Sequence, residues 1–397
     1  MMKYTLSLLF LLISIVVVVS AQQPNLKLVE YSQITTGASQ INSYLPFLKD
    51  KNIAVVANQS STIGNTQLVD TLLTYDIKIN KIFCPEHGFR GTADAGEKVN
   101  SNIDPNTNIP IISLYGSHRK PTSNDLKDID IVVFDLQDVG TRFYTYISTL
   151  TYIMEACAQN NISIIILDRP NPNAYFIDGP VLEAKYSSFV GLHTVPVVYG
   201  MTIGEYGLMV AGEKWISGAE KLDLKVIPLK KWNRNMIVKL KTRPSPNLPN
   251  WQSVYLYPSL CFFEGTIMSI GRGTNYPFQI FGNPKYSEGN YIFTPESKSG
   301  ATNPKYKNKK CNGVNLISFA NDFNSNSHHL SLKWLINSYN VMNDSSAFFN
   351  NYFVKLAGTN TLQQQIESGL SETEIRKSWQ PEINEFKKIR SKYLLYP

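Results

Sequence analysis

The strings that mark nucleotide-binding and acyl-transfer enzymes are missing from this chain. No GxGxxG follows its first apolar run, where Asn58-Gln59-Ser60-Ser61 stands instead, and no GxxxxGK[ST] occurs. A dinucleotide or nucleoside triphosphate would therefore lack the backbone cradle its phosphates need. GxSxG, the strained turn of a serine hydrolase, is absent too. Cysteine is scarce. Cys84, Cys157, Cys261 and Cys311 form no CxxC pair and no zinc spacing, and His87, Asp94 and Glu97 match no metal motif, so neither metal nor cofactor is expected. Export would permit a disulfide, with Cys261 to Cys311 one candidate pairing, but the sequence does not set the pairing. The net charge of +7 is spread along the chain without basic runs interleaved with aromatics, which argues against a nucleic-acid partner.

Long apolar runs are equally few. The only one covers residues 6–19, behind Lys3 and ahead of the small residues Val19-Ser20-Ala21. It falls short of the roughly twenty residues of a membrane span. Residues 1–21 therefore read as a cleaved signal peptide, and the mature protein as secreted or periplasmic without stable membrane insertion. Nothing in the sequence sets the oligomeric state.

What is present is a core. Hydrophobic residues make up 43% of the chain and aromatics 12%, enough to bury a large interior. Short apolar runs at 53–57, 81–84, 111–114, 131–134, 162–167 and 195–198 alternate with helical stretches such as 67–75 and 145–159. Runs without polar alternation are the mark of strands buried on both faces. The expected fold class is α/β, a Rossmann-like doubly wound, mostly parallel sheet with a second, smaller α+β C-terminal domain. Thr202 and Glu205 predict a capping box, as do Ser371 and Glu374, and Pro381 fits the first turn of a final helix. The proline-rich stretch 241–250 reads as a boundary or surface connection, dividing a catalytic domain at 22–240 from an auxiliary domain at 241–397.

In open parallel sheets, ligands bind beyond the carboxyl ends of the strands. Polar residues collect there in this chain. Asn58 follows the first run, and Pro85-Glu86-His87-Gly88-Phe89-Arg90 follows the second. Asp135, Asp138, Arg142 and Tyr144 follow the run at 131–134; Asp168-Arg169-Pro170-Asn171 and then Tyr199 close the later ones. Glu86, Asp135, Asp138 and Asp168 suit general acid/base or glycosyl chemistry. Asp135 also has the position of a turn cap, and Asp168 with Arg169 that of a structural ion pair. Glu86 differs, because Pro85 and Gly88 hold a tight loop around it. Glu264 and Arg272, among glycines and aromatics, suit a sugar platform with a cationic clamp.

At these residues the sequence resembles the exo-β-N-acetylmuramidase family. The likeness is carried by Pro85 to Gly91, Asp94-Ala95-Gly96-Glu97, Phe134 to Tyr146, Asp168 to Pro172, Gly179 to Leu182, His193 to Thr202, and Glu264-Gly265-Thr266 with Gly271 to Thr274. It extends from about Val55 to the C-terminus. It implies a site between two domains and removal of terminal, non-reducing N-acetylmuramic acid (MurNAc) from peptidoglycan fragments such as MurNAc-GlcNAc. It also implies Glu86 as catalytic carboxylate with His87 beside it. Asn173-Ala174-Tyr175-Phe176 departs from the family pattern, which expects a small, glycine-containing stretch there.

The remaining roles follow from the chemistry. The lactyl carboxylate of MurNAc calls for an arginine, with Arg90, Arg142, Arg169 and Arg272 as candidates. The second carboxyl is Asp138 or Asp168 on this reading. Asn58, Asp135, Tyr144, Asn171, Tyr199 and Glu264 complete the expected substrate-binding set. The rival readings are a hydrolase of other N-acetylated sugars and a non-catalytic binder of muropeptides.

Overall fold

The computed structural model describes residues 25–86, 88–89, 102–326, 328–342 and 348–397; the expected leader lies outside them. Seven strands form the central sheet: β1 (Ile53–Ala57), β2 (Ile79–Cys84), β3 (Asn102–Ile103), β4 (Pro110–Ser113), β5 (Ile131–Asp135), β6 (Ser163–Leu167) and β7 (Leu224–Ile227). Their order is β7-β6-β5-β1-β2-β4-β3, parallel throughout except for β3, which runs antiparallel along the edge of β4. The chain enters at β1, winds outward through β2 and β4, then returns to β5 on the other side of β1. That reversal is a topological switch point, where loops diverge and leave a crevice at the carboxyl ends.

Side-chain alternation divides the sheet into two packed faces. Ala54, Val56, Phe83, Val132, Phe134, Ile164 and Ile166 point to α3 (Tyr146–Asn160) and α4 (Ile203–Gly212). Ile53, Val55, Ala57, Ile82, Ile131, Val133, Ile165 and Leu167 point to α1 (Ile41–Leu48) and α2 (Leu68–Leu73). With both faces covered, runs such as 53–57 and 131–134 carry no polar positions, as double burial requires. Burying each such Val, Ile or Leu contributes roughly 1.5–3 kcal/mol.

The α4 capping box forms as the sequence predicts: Thr202 Oγ1 accepts from Glu205 N and the Glu205 carboxylate from Thr202 N. So does the box of Ser371 and Glu374, while Pro381 stands in the first turn of the Gln380–Arg390 helix. The first core cluster continues without a break into α5 (Trp251–Leu260) and the C-terminal helices, through Leu256, Phe262, Phe281, Phe353 and Ile383. A three-stranded antiparallel sheet (Ile280–Asn283, Cys311–Asn315, Tyr291–Phe293) belongs to this smaller part.

Three expectations are corrected. The run at 195–198 is not in the central sheet: Pro196–Val198 pairs antiparallel with Asp178–Val181. Pro180 and Pro196 lack the N–H that a central strand must donate. The unanticipated Leu224–Ile227, with only one buried position, takes the edge beside β6 instead. All four cysteines are free and buried, so Cys261 and Cys311 are not joined. The stretch 241–250 is no surface connection, because Pro244, Ser245, Asn247 and Leu248 are buried. Among the described residues no helix is long and apolar enough to cross a membrane.

Candidate active site

A cleft of about 960 Å³ opens at the carboxyl edge of the sheet. The loops after β2, β4 and β5 form one wall, with Glu86, Tyr115, Arg119, Tyr144, Thr145 and Tyr146. The C-terminal part supplies the other, with Tyr257, Glu264, Arg272, Phe278, Tyr352 and Lys355. Ser245 and Leu248 of the proline-rich stretch lie between them.

Glu86 sits in the turn that leaves β2. Gly88 N donates to Pro85 O (3.1 Å), and Gly88 has a φ of 73°, a conformation that side chains other than glycine adopt only at a cost. The chain is thereby reversed immediately beyond the sheet, and Glu86 projects into the cleft. Thr145, the residue immediately before α3, places its Oγ1 3.5 Å from Glu86 Oε2. Tyr115, two residues beyond β4, hydrogen-bonds the same carboxylate; burial and then the Glu86 charge push its phenol pKa up.

Glu264 is the other carboxylate lining the cleft among the described residues. Arg272 grips its Oε1 through Nε and Nη2, both at 2.7 Å, and the guanidinium lies 5.2 Å from the centre of the Phe278 ring. Burial lowers the Arg272 pKa, but the Glu264 charge, its hydrogen bond to Arg272 and the nearby Tyr257 and Cys261 together outweigh it, so the guanidinium is held firmly charged. Phe278 packs edge-on against Tyr257 (4.9 Å), and Tyr257 against Tyr144 (6.1 Å). These buried aromatics run from one wall to the other and make that part of the cleft's lining apolar.

The other expected residues lie elsewhere. Asn58 is buried and donates to Tyr146 Oη (2.7 Å), so it supports a lining residue rather than lining the cleft itself. Asp135 and Arg169 form a buried two-pronged ion pair (2.5 and 2.7 Å), with Arg169 also on Tyr31 Oη (2.6 Å). Both are spent on the interior, but Arg169 pairs with Asp135 rather than with Asp168, the partner that the sequence suggests.

Asp138 accepts from Tyr199 Oη and from Gly140 N (2.7 Å). Burial raises its pKa to about 6 even though these donors pull it down. Asp168 accepts from Thr202 Oγ1 (2.7 Å), Gly204 N (2.8 Å) and Tyr396 Oη (2.5 Å), tying the C-terminal tail to the start of α4. Burial raises its pKa to about 7. Neither aspartate is among the residues lining the cleft, whereas Glu264 is.

Asn171 Nδ2 donates to Met201 O (2.7 Å), and Arg142 is wholly buried on four backbone carbonyls. His87 and Arg90 lie outside the described residues. Tyr175 and Phe176, where the sequence departs from the family pattern, line a separate cavity behind α5 and do not shape this cleft. Tyr115 and Arg119 escaped the sequence reading although they follow β4. The rule that located Glu86 behind β2 applies equally to the run at 111–114. Tyr352 and Lys355 carried no local signal, because a helix far along the chain brings them in.

Comparison with known proteins gives one consistent result. Residues 53–252 match the family domain described as Exo-beta-N-acetylmuramidase NamZ, N-terminal, and residues 255–396 its C-terminal counterpart. The chain is 40% identical over 375 residues to the Bacillus subtilis (strain 168) protein named Peptidoglycan beta-N-acetylmuramidase NamZ, covering 89% of each. A crystal structure of a DUF1343 family protein from Bacteroides fragilis at 1.30 Å is similar with a TM-score of 0.85 and 44% identity, over 91% of this chain and 99% of that one. A second, from the same species at 1.65 Å, gives a TM-score of 0.78 and 29% identity, over 92% and 99%.

Proposed function

The chain belongs to the exo-β-N-acetylmuramidase family, and on that premise we propose that it hydrolyses terminal, non-reducing MurNAc from peptidoglycan fragments such as MurNAc-GlcNAc. The observation that carries this reading is the pair of carboxylates, Glu86 and Glu264, lining one aromatic-walled cleft. Hydrolysis of a β-glycoside needs a proton delivered to the leaving oxygen and a second carboxylate near the anomeric carbon.

Glu86 is the acid. As the bond from C1 to the leaving oxygen breaks, the proton of Glu86 passes to that oxygen, water adds its hydroxyl to C1, and the water's remaining proton restores Glu86. Glu264, clamped by Arg272, is the second carboxylate and faces the positive charge that develops at the ring. Tyr115 and Thr145 fix the orientation of Glu86 by hydrogen bonds. Peptidoglycan lies outside the cytoplasmic membrane, which agrees with the export expected from residues 1–21.

The test is release of nitrophenol from 4-nitrophenyl β-MurNAc beside the matching β-GlcNAc glycoside, with purified MurNAc-GlcNAc as natural control. Turnover of the MurNAc compounds alone is expected. Comparable turnover of the GlcNAc glycoside would replace the proposal with a broader N-acetylhexosaminidase. No turnover of any compound would leave a muropeptide-binding protein.

A further inference from the structure

The cleft must distinguish MurNAc from GlcNAc, and the two differ only by the lactyl ether with its carboxylate. A cation in the lining is the recognition element that this difference calls for. Arg142 and Arg169 are committed to buried partners, and Arg272 to Glu264. Two lining cations remain without a carboxylate partner among the described residues, Arg119 and Lys355, both exposed to the cleft mouth.

Arg119 is the better organised of the two. Its guanidinium carbon lies 4.6 Å from the centre of the Phe189 ring. Phe189 is itself 8% exposed, stacked on Tyr152 (6.1 Å, 6°) and tilted against Tyr115 (6.4 Å). A guanidinium resting on a buried, packed ring loses rotational freedom in advance, and its N–H edge stays available for a two-pronged bond to a planar carboxylate. Tyr115 connects this platform to the reacting end of the cleft, because it also bonds Glu86. A sugar whose glycosidic oxygen meets Glu86 thus has a cation beside the same wall.

We propose that Arg119, held on Phe189, binds the lactyl carboxylate of MurNAc and sets the preference for MurNAc over GlcNAc, with Lys355 adding positive charge to the same lining. This rests on the muramidase reading and deepens it. The experiment is calorimetric titration of wild type, Arg119→Gln and Arg119→Lys with MurNAc, its lactyl methyl ester and GlcNAc, beside turnover of 4-nitrophenyl β-MurNAc.

Wild type should bind MurNAc more tightly than the neutral ester. Arg119→Gln should narrow that gap about tenfold or more, the range of a charge-assisted hydrogen bond. Arg119→Lys should restore only part of it, since a point charge does not reproduce the fork. A gap unchanged in Arg119→Gln, or equal weakening of charged and neutral ligands, would overturn the assignment. A gap that narrows while wild type turns over no glycoside would uphold Arg119 as the carboxylate reader and sink the hydrolase reading. Failure of all three ligands to bind would overturn both.

Discussion

Arg142 donates from Nη2 to the carbonyl of Ala357 at 2.6 Å, and this contact fastens one wall of the cleft to the other. Leu356 O is held at 3.0 Å by the same nitrogen, while Nη1 reaches Pro180 O (2.8 Å) and Val195 O (2.7 Å). Leu356 and Ala357 end the helix Asn351–Ala357, which presents Tyr352 and Lys355 to the cleft. A helix leaves its last carbonyls unpaired and its C-terminus partly negative, so a buried cation there satisfies both. Gly358 follows with a φ of 73°, and a Cβ on it would stand 2.6 Å from Arg142 Nη2. The closing glycine therefore also makes room for the guanidinium.

Arg142→Met should strand four buried acceptors and lower stability by about 3 kcal/mol or more, visible as a reduced urea midpoint. Activity should fall with it even at temperatures where the fold persists, because Tyr352 and Lys355 lose their anchor. Arg142→Lys should rescue little, as one ammonium cannot reach the four carbonyls that two separate guanidinium nitrogens hold. Wild-type stability in the lysine variant would contradict this account.

Glu86→Gln should reduce kcat on 4-nitrophenyl β-MurNAc by about 10²–10⁴-fold, the usual share of a general acid, with binding of free MurNAc little altered. Tyr115→Phe removes only the hydroxyl that bonds Glu86. It should cost about three- to tenfold in kcat with KM nearly constant. A loss confined to KM would assign Tyr115 to substrate binding rather than to the orientation of Glu86.

Burial raises the Asp138 carboxyl to about 6 in the folded protein, against an ordinary value of 3.8. An acid whose folded pKa is raised contributes stability that is fully present below its unfolded pKa and is lost as pH climbs through the folded one. Asp138→Asn, which keeps an acceptor for Tyr199, should therefore gain on wild type between about pH 4 and pH 6, by up to about 3 kcal/mol. Urea midpoints of both proteins at four pH values across that interval measure it; a constant difference would mean that Asp138 is not perturbed.

The four cysteines are buried thiols, and burial pushes Cys84 to about 12 and Cys311 to about 11. Dithiothreitol should leave the thermal midpoint unchanged, and Ellman's reagent should react only after denaturation. A drop in midpoint on reduction would restore the Cys261 to Cys311 bridge.

The sequence alone determined the inner strands of the sheet. Runs such as 53–57 and 131–134 are apolar at every position, and only a strand covered on both sides can bury such a pattern. Glu86 was legible for a related reason, since Pro85 and Gly88 fix a turn through local backbone geometry alone. What local pattern could not decide was which polar residues at the strand ends face the cleft. Asp135, Asp138 and Asp168 stand at the same edge as Glu86, yet each is turned inward by a partner distant in the chain: Arg169, Tyr199 and Tyr396. Arg142 was likewise withdrawn by the carbonyls of Leu356 and Ala357, and Tyr352 entered with the helix those carbonyls end. A buried charge goes where its partners are, and only the tertiary structure brings those partners within hydrogen-bond reach.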